Sequence, residues 1–156
     1  MCEKYIQPMH NWRPNITKIA RVTNLALEVK FERAKANAFG PNIGQKFHGT
    51  GDDGIEGITK NGFRMPAHAG MYGRGIYFAT DSSKSARYSA QSNKLLLCDV
   101  LLGRSMNVTG ANNSLNGDFI RQRGFDSVYA PRGTAVANDE FVIFDPDQAL
   151  PRYVET

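Results

Sequence analysis

Gly73-Arg74-Gly75-Ile76-Tyr77-Phe78-Ala79 joins a glycine-rich turn to an apolar run, and the direction of that join separates the possible fold classes. With Gly70 it makes a glycine-rich segment, but the spacing is the reverse of a dinucleotide fingerprint. It also runs into an apolar strand, whereas the fingerprint leaves a strand and opens a helix. A doubly wound parallel sheet therefore fits poorly. Such a loop can still let backbone come close to a pyrophosphate, because glycine has no Cβ in the way.

Outward from this stretch, strands and short helices follow one another without regular alternation, which predicts an α+β domain. The branched run Ile16 to Val22 predicts a strand. Asn24 then caps a helix that places Leu27 and Phe31 on one face and ends before Gly40-Pro41. A strand is expected at Gln45 to His48, and a small helix capped by Asp52 or Asp53 should turn Ile55 and Ile58 inward until Gly62 stops it. Phe63 to Arg74 reads as a loop and Ile76 to Ala79 as a buried strand, followed by a helix from Asp81 or Ser82 to about Ser92. Lys94 to Leu102 predicts a central strand, and Val108 to Asp118 a polar connection. Phe125 to Tyr129, Val142 to Phe144 and Tyr153-Val154 supply the remaining strands, while residues 1–14, with Pro8, Trp12 and Pro14, read as an irregular arm.

The 156 residues, 41% hydrophobic, suit one globular domain with a single core. No run approaches the roughly 20 apolar residues of a membrane span, and the opening residues lack the apolar core of a secretory signal, so the expectation is a soluble intracellular chain, cytoplasmic or nuclear, with no membrane partner. The two cysteines, Cys2 and Cys98, do not make a disulfide framework. His10, His48 and His68 have no partners at metal-ligand spacing, so no metal is expected. The net charge of +4 favours encounter with phosphates, but the cations are scattered, and Lys94, Arg121, Arg123 and Arg132 read first as a solvated basic face.

Three separated blocks carry the chemistry: Phe47-His48-Gly49-Thr50; the strand Gly73 to Ala79 with Ser83-Lys84-Ser85-Ala86-Arg87-Tyr88; and Asn138-Asp139-Glu140-Phe141-Val142-Ile143-Phe144. Taken singly they are ordinary: His48 reads as a structural hydrogen-bonding residue, Tyr77 as a core aromatic, Glu140 as a strand-end charge, and Ser85 and Tyr88 as residues one helical turn apart. Taken together, in this order, they resemble the poly(ADP-ribose) polymerase family, tankyrases especially. The resemblance extends over residues 15 to 155, with Ile16 to Phe31 and Gln148 to Tyr153 as supporting matches.

The resemblance implies a catalytic domain over residues 15–156 whose fold is a split, mainly antiparallel sheet with short flanking helices around an NAD cleft. No autoinhibitory helical domain is expected, which predicts activity without a DNA-break signal. The family's His-Tyr-Glu trio falls on His48, Tyr77 and Glu140. By the same resemblance His48 bonds a ribose hydroxyl of the adenosine half, Gly49 and Ser85 hold the nicotinamide amide, and Tyr88 stacks on the nicotinamide ring with Tyr77 opposite. Thr50 and Lys84 fall beside them. The implied activity is transfer of ADP-ribose from NAD, a co-substrate, to a protein or nucleic-acid nucleophile with release of nicotinamide. Mono-transfer is slightly favoured over polymer formation. The alternatives are a non-catalytic module binding NAD or ADP-ribose and an NAD glycohydrolase. The expected state is a monomer.

The residue types suit that chemistry. A flat nicotinamide ring needs an aromatic wall, and its carboxamide needs one donor and one acceptor. Breaking the glycosidic bond develops positive charge on the ribose, so a nearby carboxylate lowers the barrier. Glu140 could also orient or deprotonate the acceptor.

Overall fold

The structure is a computed structural model that describes residues 18–80, 94–132 and 139–156. Its frame is an eight-stranded sheet: β1 (Ile19–Arg21), β2 (Ile43–His48), β3 (Ile76–Ala79), β4 (Leu95–Leu101), β5 (Ser105–Asn107), β6 (Ser127–Ala130), β7 (Glu140–Ile143) and β8 (Ala149–Glu155). The order across it is β1-β8-β4-β2-β3-β7-β6-β5. Every neighbouring pair is antiparallel except β5 with β6. The α+β reading holds, and a doubly wound sheet is excluded.

The sheet is continuous but has a narrow waist. β2 pairs with β4 from Ile43↔Leu101 to His48↔Leu96, and β3 with β7 over its whole length. Among the described residues, the only register pair between β2 and β3 is Phe47↔Ala79. Two four-stranded halves thus meet at one position, which is the split expected from the resemblance.

Helices α1 (Leu25–Ala36), α2 (Asp52–Asn61) and α3 (Gly117–Gln122) flank this frame. In α1, the Asn24 side chain accepts the Leu27 N–H at 3.2 Å, and Leu27 and Phe31 bury against Leu101 and Leu150. The apolar face is as predicted, while Leu25 and Val29 on another side stay exposed. On one face of the sheet Ile55 of α2 and Phe63 pack against Ile76, Phe78, Leu96, Cys98 and Ile143. Tyr72, Leu115 and Ile120 join Val128, Ala130 and Val142 in a second cluster.

Several boundaries depart from the sequence expectation. The cap of α2 is Gly51, with no side-chain hydrogen bond, and Asp52 and Asp53 lie in the first turn, where their charge meets the positive end of the helix dipole. Gly62 does stop α2, at φ 88°. Strand β7 begins at Glu140 and ends before Phe144, because Asp145 opens a 3₁₀ turn, Pro146–Gln148, by accepting the Asp147 N–H. β8 then runs the full length Ala149–Glu155, longer than Tyr153-Val154. The connection after Leu102 holds β5, and its end overlaps α3, which is capped by the Asn116 side chain. Both are too short to leave a periodic pattern. The arm at residues 1–14 and the helix expected after Asp81 lie outside the described residues.

Buried Asp126 braces the far corner: its carboxylate accepts the N–H groups of Phe39, Gly40 and Arg104 at 2.8 to 3.1 Å. Gln148 donates to the carbonyls of Leu101 and Asp126, both at 2.9 Å. These bonds tie the end of α1, the β4–β5 turn and the 3₁₀ turn together behind the waist.

Candidate active site

Where β2 and β3 part, their residues alternate between faces. Phe47, Ala79, Glu140 and Ala130 stand side by side across β2, β3, β7 and β6, so Glu140 shares a face with Tyr77, two residues before Ala79. Glu140 is only 6% exposed although it is the first residue of its strand. It occupies a row whose other members are apolar, a placement that keeps a carboxylate close to any positive charge formed at the waist and poorly shielded by water.

His48 comes from the other side of the pleat. Its ring meets Phe63 edge-on at 5.0 Å and Phe78 at 5.4 Å. Its Nδ1 lies 2.8 Å from the Tyr77 carbonyl oxygen. A carbonyl can only accept, so Nδ1 carries the proton and Nε2 of the neutral ring is left as an acceptor. Burial pushes the imidazole below its ordinary value, and the Tyr77 carbonyl opposes this in part. Continued outward, the β2–β3 ladder would pair residues 49 and 77, but it stops at Phe47↔Ala79. The imidazole instead bridges the strands as they separate, leaving Gly49 at the mouth of the opening.

Tyr77 uses its hydroxyl locally. It donates to the Gly73 carbonyl at 2.8 Å and accepts the Tyr72 N–H at 2.8 Å. Thr50 follows the opening and fits against Gly54 in the first turn of α2, where a Cβ would collide with the Thr50 hydroxyl. His48, Gly49, Thr50, Tyr77 and Glu140 are therefore gathered around the waist. Ser85, Tyr88 and Lys84 lie outside the described residues.

A group of residues not singled out in the sequence lies on the His48 face. Lys46 Nζ donates to Thr80 Oγ1 at 3.1 Å and sits 4.5 Å from the centre of the Phe141 ring, which stacks on Tyr129 at 4.7 Å. Burial lowers the Lys46 amine, and the Asp139 charge works against that shift. Burial, Asp139's charge and a hydrogen bond to Asp139 raise the Tyr129 phenol. Asp139 also accepts the Arg132 N–H at 2.7 Å, fixing the chain just before Glu140. A signal was available: Lys46 and His48 are two apart on one strand and must share a face.

Among the described residues no group of histidine, cysteine or acidic side chains is placed to hold a metal, and no helix is long and apolar enough to cross a membrane. Cys98 is a free, buried thiol whose ionisation is pushed up by burial and by Asp99.

The family model for the poly(ADP-ribose) polymerase catalytic domain matches residues 1–132, which take in His48 and Tyr77, and Glu140 lies beyond them. The human protein mono-ADP-ribosyltransferase PARP12 is 31% identical over 156 residues, covering 89% of this chain and 21% of that protein. Chicken (Gallus gallus) protein mono-ADP-ribosyltransferase PARP3 is 38% identical over 89 residues, 54% of this chain and 16% of that protein. A putative poly [ADP-ribose] polymerase-like protein, 100L, of Invertebrate iridescent virus 6 is 25% identical over 150 residues, covering 88% of this chain and 83% of that protein. The chain thus spans only about a fifth of the length of the human relative. With a family model matched over most of its residues and a fold of the expected kind, the chain belongs to the poly(ADP-ribose) polymerase catalytic domain family.

Proposed function

We propose that this domain transfers ADP-ribose from NAD to a nucleophile and releases nicotinamide, with His48, Tyr77 and Glu140 as its His-Tyr-Glu trio. The observation that carries the reading is the buried Glu140 carboxylate, in register with Ala79 and on the Tyr77 face, beside the single-pair waist. In the reaction, the bond between the ribose C1′ and the pyridinium nitrogen breaks and its electron pair leaves with neutral nicotinamide. The acceptor's lone pair forms the new bond to C1′, and its proton passes to Glu140 or solvent. Glu140 stabilises the positive charge at C1′ through electrostatics fixed before the reaction and holds a ribose hydroxyl.

Neutral His48 keeps Nε2 as an acceptor for a ribose hydroxyl, an orientation set by its Nδ1–H bond to Tyr77. Gly49 presents backbone donor and acceptor groups to the nicotinamide amide, and the Tyr77 ring forms a wall of that pocket. Ser85, Tyr88 and Thr50 complete the proposed binding set. Mono-transfer is favoured over polymer formation, in line with the mono-ADP-ribosyltransferase relatives, and the acceptor is a protein or nucleic-acid group. The proposed setting is an intracellular monomer, in cytoplasm or nucleus.

Mass spectrometry of the purified chain and of offered protein, RNA and DNA after incubation with NAD tests this. Additions of ADP-ribose units with matching nicotinamide release are expected, one unit per site for mono-transfer. Nicotinamide release without any addition would make the domain a glycohydrolase, and NAD binding without release would make it a binding module.

A further inference from the structure

We propose that the Tyr77 hydroxyl is a latch that fixes the loop before β3, so that this group serves as a positioning element and not as a hydrogen-bonding partner of the bound nicotinamide. The hydroxyl is occupied in both directions, donating to Gly73 O and accepting from Tyr72 N, each at 2.8 Å. A phenol has one proton to give, so no ligand receives it without breaking the bond to Gly73.

The latched segment is a tight turn. Gly70 N donates to Gly73 O at 2.9 Å and Gly73 N to Gly70 O at 3.2 Å, leaving Met71 and Tyr72 at its tip. Gly70 makes room for the latch, since a Cβ there would stand 2.7 Å from the hydroxyl. The turn is also seated on the connection after β5. Met71 O accepts the Asn112 N–H at 2.9 Å, the Tyr72 side chain is fully buried, and Gly73, at φ 95°, lies so close to the Leu115 carbonyl that a side chain would collide with it. One hydroxyl on β3 therefore holds this turn, the turn rests on the connection after β5, and β3 is the strand paired with β7, where Glu140 begins. The amides of Gly70, Tyr72 and Gly73 are consumed within this arrangement, so these three N–H groups are not left to cradle a ligand.

The ligand arm of the test rests on the transferase reading, and the exchange arm does not. In Tyr77→Phe the Tyr72 amide loses its acceptor, and its hydrogen exchange should quicken about tenfold or more, the effect of about one hydrogen bond. The KM for NAD should rise about tenfold while kcat falls less than about threefold, because a misplaced loop weakens ground-state and transition-state binding alike. Inhibition by nicotinamide alone should change by less than about twofold, a split that general destabilisation would not produce. Gly70→Ala, which crowds the hydroxyl while leaving the phenol in place, should reproduce the faster exchange and decides the matter if Tyr77→Phe fails to fold. Unchanged Tyr72 exchange in either folded variant overturns the latch. So does a loss of nicotinamide affinity equal to the loss for NAD, which would put the hydroxyl on the ring. Absence of nicotinamide release by the unaltered chain would instead sink the transferase reading, with the Tyr72 exchange still deciding the latch.

Discussion

The proposed role of His48, with Nε2 accepting from a ribose hydroxyl, needs a neutral ring, and its surroundings favour that form. Burial between Phe63 and Phe78 disfavours the imidazolium, and this outweighs the pull of the Tyr77 carbonyl on the proton. The lowered pKa has a consequence for stability. Below its ordinary value near 6.5, the unfolded chain takes up a proton at residue 48 that the folded chain refuses. Stability from this residue is therefore full above that value and declines as acid is added, until the folded pKa is also passed. The slope for one such proton is at most about 1.4 kcal/mol per pH unit. Urea unfolding at several pH values should show this decline in the unaltered chain and a flatter profile in His48→Phe. Parallel profiles would mean that His48 is not the group being protected. Among single residues, the sequence names candidates and is silent about how they are oriented. Residue types in order marked His48, Tyr77 and Glu140, but that the Tyr77 hydroxyl turns back to Gly73 and Tyr72 depends on a loop conformation no local pattern encodes.

Elements show the same division between local and long-range causes. Asn24 was legible as a cap because polar capping precedes an apolar pair spaced four apart. Its second task was not. The Asn24 side-chain amide also donates to the carbonyls of Thr59 and Lys60, at 3.1 and 3.0 Å, tying the start of α1 to the end of α2. Asn24→Ala should therefore cost about 2 kcal/mol, the upper part of the range for a cap, since it also removes the link between helices. Asn24→Asp keeps the cap but loses the amide donors, so in thermal or chemical unfolding it should fall between Asn24→Ala and the unaltered chain. Equal stability of Asn24→Asp and the unaltered chain would show that the link contributes nothing. Long apolar runs such as β4 are legible nearly to the residue, because burial on both faces dictates their composition. The three-residue β5 and six-residue α3 escaped, since each is held by contacts that leave no periodic trace: Ser105 and Ser127 share a 2.6 Å bond across the parallel pair, and Asn116 caps α3 within a polar stretch.

For the whole molecule, strand order is the feature that sequence could not supply from its own physics. The antiparallel split sheet was expected through the family resemblance, and the eight-strand order supports it. That order brings β2, β3 and β7, separated widely along the chain, into adjacency, and among the described residues leaves one register pair where the halves meet. Everything proposed about the chemistry follows from placing a buried carboxylate beside that waist. Nicotinamide release from NAD by the unaltered chain and by Glu140→Gln, with NAD affinity measured on both, separates a working carboxylate from a bystander. The variant keeps the shape of residue 140 and removes its charge, so turnover should fall on the order of a hundredfold or more, about 3 kcal/mol, while NAD affinity changes little. Equal turnover in the two proteins would contradict the account, because the charge at residue 140 would then have no part in breaking the bond to nicotinamide.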